Sequence, residues 1–220
     1  MLRIMHAEEI ASLLLLLPGL VQQQERRSTD FVPNAGAWLN SLERAFAASR
    51  LYQAGSIAML RSGLVAAEQG QLPAGLQFRG HPTRSRVLHA VALQALQRAA
   101  DTASTLIAEN QPRLAEAERV AQQIVAAALS RGLITGRAEG VSNTQYLRML
   151  RRNLVTGVDL ESAVVHLEGL VGPYDALILI DRALAPHLDN TSGSTVGDLS
   201  FHQVNESQQV GDARTWEHPT

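Results

Sequence analysis

Apolar residues recur along this chain at spacings of three and four, the period of an amphipathic helix, and no strand pattern of useful length interrupts them. The spacing predicts a first helix from about Ile4 to Leu17, ending at Pro18-Gly19. Its Leu13–Leu17 end is apolar almost all round, which predicts cover on several sides. The polar stretch Val21–Pro33 reads as a connection. Asn34 then serves as N-cap for a long helical stretch to about Ala67. One face of it carries Trp38, Leu39, Leu42 and Phe46, and the pattern resumes with Ile57, Leu60 and Leu64. Gly55 marks either a break or a close approach by another helix, since an interior glycine costs about 1 kcal/mol relative to alanine.

Three glycines and two prolines make Gln69–Pro82 a loop. A helix follows from about Thr83 to Glu109, with a stripe at Leu88, Val91, Ala95, Ala99, Thr102 and Leu106. Asn110-Gln111-Pro112 reads as a tight turn with Pro112 at the first position of a new helix. That helix ends at Ser130, with Gly132 as the residue that reverses the chain. Its seam is Leu114, Ala117, Ala121, Ile124 and Ala128. Residues 83–131 are therefore expected to form an antiparallel helical hairpin, the alanines letting the axes approach closely.

After the glycine-containing stretch Leu133–Val141, three short helices are expected at about 144–155, 160–171 and 174–185. Gly157 and Gly172 end the first two and Asp159 caps the second. The short apolar run Leu177–Ile180 reads as helix because Asp175 and Arg182 flank it. The expected architecture is all-α: a multi-helix bundle over residues 1–132 with a central hairpin, a short-helix subdomain over 133–186 packed on it, and a flexible acidic tail over 187–220. All eight prolines fall between these stretches or in the tail.

Composition narrows the chemistry. The 220 residues include no cysteine, which removes disulfides, thiolate metal sites and thiol nucleophiles and suits a reducing compartment. All nineteen basic residues are arginine, a bias expected of a GC-rich bacterial genome. Without lysine there is no GK[ST] phosphate loop, no Schiff base and no kinase lysine. Residues 1–186 hold 18 Arg against 16 acids and residues 187–220 one Arg against five, so +2 and −4 make the net −2. Neither part has the basic footprint of a general nucleic-acid binder. Glu8 and Glu9 stand where a signal peptide has cations, and Leu13–Leu17 is too short for a span. A cytoplasmic protein with a buried first helix and no membrane span is expected.

Three functional readings follow. The first is a non-enzymatic helical interaction or assembly protein, a subunit or adaptor of a bacterial complex, with a protein partner or a second copy as its target. Leu14 and Leu16 on the apolar run, Arg148 and Arg152 on the basic helix, and Phe201 and Trp216 in the tail are its candidate contacts. The two tail residues belong to only nine aromatics in the chain. The second is a helix-turn-helix regulator built on Thr156-Gly157-Val158-Asp159, with Arg148, Arg151 and Arg152 toward the backbone. Its recognition helix would present Glu161, His166 and Glu168, where positive charge belongs, so nucleic acid is not the favoured partner.

The third rests on Arg84-Ser85-Arg86-Val87-Leu88-His89. This Arg-x4-His element is similar to the signature of HEPN-type ribonucleases, helical proteins that cleave RNA with Arg and His from two protomers. The resemblance covers six residues, and Ser85 departs from the polar amide or acid that many members place after the arginine. It implies that His89 acts as acid or base and Arg84 holds the phosphate. Packing of His89 beside Val87 and Leu88 is the competing reading. No zinc-binding helix, nucleophile elbow or dinucleotide fingerprint is present, and neither a cofactor nor a metal is expected.

Overall fold

The computed structural model describes residues 2–71, 83–134, 142–156 and 158–192. Among them are eight helices and no strand: α1 (Ile4–Leu14), α2 (Leu17–Glu25), α3 (Phe31–Ala48), α4 (Gln53–Glu68), α5 (Arg84–Ser130), α6 (Asn143–Thr156), α7 (Val158–Val171) and α8 (Pro173–Ser192). The all-α architecture and the C-terminal trio are as the hydrophobic period requires. The central hairpin is not. Residues 84–130 form one helix of 47 residues, roughly 70 Å long, that passes straight through Pro112.

Two features carry α5 across the proline. A helix-interior proline leaves one carbonyl, here that of Ala108, without its donor and costs about 3 kcal/mol. Locally, Asn110 Nδ2 donates to the Leu106 carbonyl at 2.8 Å, and Arg113 donates to both Asn110 Oδ1 and the Leu2 carbonyl at 3.0 Å. Globally, each half of the helix is buried against a different set of partners. Leu106 and Ala117, on either side of the proline, are eleven residues apart, which returns the buried stripe to within about 20° of its starting direction. A single rod therefore presents one continuous apolar stripe.

Two hydrophobic clusters share this rod. The first joins α1, α2, α3, α4 and the first half of α5, around Phe31, Trp38, Leu39, Leu42, Phe46, Ile57 and Leu64. The second joins α6, α7, α8 and the second half of α5, around Ala117, Ala121, Ile124, Ala128, Leu154, Leu167, Ile180 and Leu184. The alanine seam is buried as its spacing predicted, but α7 and α8 approach it rather than the other half of α5. Small side chains there admit close helix axes. The start of α1 bridges the clusters, with Ile4 in the second and Ala7 and Ile10 in the first. Buried Asp175, in the first turn of α8, accepts the Ile4 N–H at 2.9 Å and so supplies one of the partners that a helix start lacks.

Other boundaries also move. The chain breaks between α3 and α4 at Ser49–Tyr52, with Arg50 in the left-handed region (φ 54°), and Gly55 lies on the exposed face of α4 with nothing close to it. Asn34 is not a cap but lies in the first turn of α3, and its amide donates to Gln23 Oε1 at 2.9 Å. Most of the expected connection 21–33 is helical, in α2 and the start of α3. Thr83 does cap α5, accepting from the Arg86 N–H. Gly132 (φ 65°) and Gly172 (φ 88°) follow their helices in the left-handed conformation expected of them. α8 continues through Pro186, so residues 187–192 of the expected tail are helical. Gly157 and residues 193–220 lie outside the described residues.

Candidate interaction surface

The first helix does not end at Pro18. Instead α1 and α2 make a 22-residue rod, Ile4–Glu25, broken for two residues at Leu15–Leu16. Pro18 sits in the first turn of α2 and cannot donate to the Leu14 carbonyl, so the ladder slips there. The Leu16 N–H reaches only three residues back, to the Leu13 carbonyl at 3.1 Å. The slip turns two leucines outward. Leu15 is 80% exposed and Leu16 58%, where the sequence predicts burial. Leu13, Leu14 and Leu17 are partly buried against the first cluster, and only Leu20 of α2 is fully buried. Among the described residues the expected cover over this end is missing, because α2 rests mainly on α3.

Beside the projecting leucines lies a groove of about 420 Å³. Leu13, Leu16, Leu20 and Trp38 form its apolar wall and Gln23, Asn34 and Ser41 its polar rim. Trp38 is held by its indole N–H, which donates to the Leu13 carbonyl at 2.7 Å. Within Ile4–Glu25 the most apolar 18-residue window has a mean hydropathy of 1.6 and is 22% buried, so this run is long and apolar enough to cross a membrane by length and composition. Tyr52, Met59, Val165 and Tyr174 are also exposed, but Leu15 and Leu16 are consecutive and adjoin an apolar groove, so here the exposed apolar surface is contiguous.

The other candidate residues are placed as follows. Arg84 is exposed, and its guanidinium donates to the Glu68 carbonyl at the end of α4. His89, one turn later and half-buried, faces the Phe31 ring with centroids 5.3 Å apart. A cleft of about 830 Å³ opens beside them; His89 lines it together with Ser85, Arg86 and Arg27, whereas Arg84 does not. Arg86 and Arg27 were not singled out by the Arg-x4-His spacing. Arg27 could not have been, because it reaches the cleft from the turn after α2, almost sixty residues earlier.

On α6, Arg148 and Arg152 are exposed, and between them Arg151 makes a two-pronged contact with Glu168 of α7, Nε to Oε1 at 2.8 Å. The hydrogen bond that Arg151 donates to Glu168 raises the Arg151 pKa above its ordinary value. That pair ties α6 to the helix that a helix-turn-helix reading would use for recognition. Phe201 and Trp216 lie outside the described residues. Among the described residues no group of three or more His, Asp or Glu is arranged to hold a metal ion. No protein-family model, curated protein or solved structure matches this chain.

Proposed function

We propose that this is a non-enzymatic helical assembly protein whose contact surface is the broken rod of α1 and α2, and that the surface is covered by a second copy of the chain. The observation that carries the reading is the exposure of Leu15 and Leu16 in the most apolar segment of the sequence. Leaving two leucines in water forgoes burial worth about 1.5–3 kcal/mol each, which association recovers. The same patch contains a projecting part, Leu15 and Leu16, and a receiving part, the Leu13/Leu16/Leu20/Trp38 groove. A two-fold self-contact needs both on one surface.

The test is molar mass in solution for the wild type and for Leu15→Glu/Leu16→Glu, with circular dichroism and melting as folding controls. A wild-type dimer that the double variant reduces to monomer, with unchanged helix content, is the expected result. A wild type that is monomeric throughout the micromolar range overturns the reading, as does a dimer insensitive to the double variant. Wild type that instead co-sediments with lipid vesicles would assign the same leucines to a membrane.

A further inference from the structure

The cleft at the start of α5 is a different kind of site. Four of its lining side chains are suited to holding an anion: Arg27 from the turn after α2, and Ser85, Arg86 and His89 from the first turns of α5. Gln24, Glu25 and Thr83 complete its polar lining, and Ala90 and Leu93 its apolar one. Elsewhere, arginines 61, 119, 151 and 182 are each paired with a carboxylate, whereas among the described residues Arg44, Arg98, Arg148 and Arg152 are exposed without one and line no cavity with a second arginine. Arg27 and Arg86 have no such partner among the described residues, and they converge on one cavity from two elements. Thr83 Oγ1 already satisfies the Arg86 N–H, so the guanidinium, not the backbone, is what Arg86 offers the cleft.

Arg27 is also in a costly backbone position. It follows α2 with φ 52°, in the left-handed region where glycine is the favoured residue. The Ser28 N–H returns to the Gln23 carbonyl at 2.9 Å and the Arg27 N–H to Gln24 at 3.0 Å, the complete glycine-type helix ending. Arg50 ends α3 with the same geometry, but of the two only the Arg27 side chain lines the cleft.

We infer that this cleft binds a phosphate-bearing anion of about nucleotide size or smaller, with Arg27 and Arg86 as its two guanidinium clamps and His89 and Ser85 as additional donors. Guanidinium forks match phosphate oxygens in pairs, which a single charged group cannot. The site does not depend on the assembly surface. Leu15 and Leu16 do not line it.

The experiment is calorimetric titration and thermal melting of the full chain with inorganic pyrophosphate at low ionic strength. Wild type is expected to bind and to melt higher with pyrophosphate. Arg86→Gln should weaken binding roughly tenfold. Arg27→Gly should weaken it similarly while raising the melting temperature without ligand, because glycine suits the left-handed position. That opposite movement of stability and binding separates a ligand clamp from a structural arginine. No heat and no melting shift with wild type would overturn the inference. So would equal weakening by Arg148→Gln/Arg152→Gln, two exposed arginines on α6 outside the cleft, since that would mean attraction by net charge alone.

Discussion

The two halves of the molecule are built on the same helix yet hold themselves together differently. Around the first half of α5 the core is aromatic, with Phe31, Trp38 and Phe46 buried among leucines. Around the second half it is almost wholly aliphatic, small at the alanine seam of α5 and larger at Leu154, Leu167, Ile180 and Leu184. Large rings fill space between α1, α3 and α4 that their crossings leave open. Alanines allow α7 and α8 to lie directly against the rod. The aromatic half is also the one that leaves its edge bare, at Leu15 and Leu16, and that carries the unpaired arginines of the cleft. In the aliphatic half, Arg151–Glu168 clasps α6 to α7. Both candidate surfaces thus belong to the N-terminal half, while the C-terminal half braces the rod.

The strongest way to break this comparison is Phe46→Ala. Phe46 is fully buried at the centre of the aromatic cluster, and its removal should cost about 3–5 kcal/mol. Because α5 is continuous, a chemical melt followed by amide exchange should show α7 and α8 losing protection together with α3. If they keep it, the halves unfold independently and the rod does not couple them.

A smaller effect, of opposite sign, is expected at the joint. Pro112→Ala restores the N–H that the Ala108 carbonyl lacks and relieves a helix-interior proline, so stability should rise by about 1–3 kcal/mol. Were Pro112 the first residue of a second helix after a turn, alanine there would gain nothing. A urea midpoint that stays put or falls would therefore restore the hairpin.

The smallest effect concerns the clasp between the halves, the ion pair of Glu8 in α1 with Arg182 in α8. The hydrogen bond from Arg182 holds the Glu8 carboxyl below its ordinary pKa. A depressed folded-state pKa means that the folded protein binds fewer protons than the unfolded chain. Its stabilisation is complete above the ordinary carboxylate range and is lost as pH falls through the lowered value. Both side chains are about half exposed, so solvent screening keeps the contribution below about 1 kcal/mol. Glu8→Gln should lower the melting temperature slightly at neutral pH and not at all in acid. An equal loss at both pH values would mean that the contact works through packing rather than charge.

Much of the fold was legible in the sequence. The period of three and four marked Trp38, Leu39, Leu42 and Phe46 as one face, and Ala117, Ala121, Ile124 and Ala128 as another, and all are buried. Gly132 and Gly172 marked two helix ends, because glycine, lacking a Cβ, takes the left-handed conformation there without the steric cost other residues meet. The absence of cysteine and lysine removed whole classes of chemistry before any geometry was considered. The site was less legible. Leu16 stands out in the sequence as surplus apolar surface, but the sequence relates His89 only to Arg84, by spacing, and not to the cleft it shares with Arg27 and Arg86.

What only the tertiary structure decided was where the chain would disregard its own punctuation. Proline penalises a helix by a fixed local amount, a few kcal/mol, and sequence reading treats that as a stop. At Pro112 and Pro186 the helix continues, and at Pro18 it only slips. Burial at Pro112 is summed over two packed halves and exceeds the local penalty there. Arg50 shows the reverse, a break with no glycine or proline to announce it, imposed because Leu51 must turn back onto the first cluster. Sequence period determines which residues seek cover. Which of them find it, and which, like Leu15, are left facing water, depends on how neighbouring helices are placed, and no local signal encodes that.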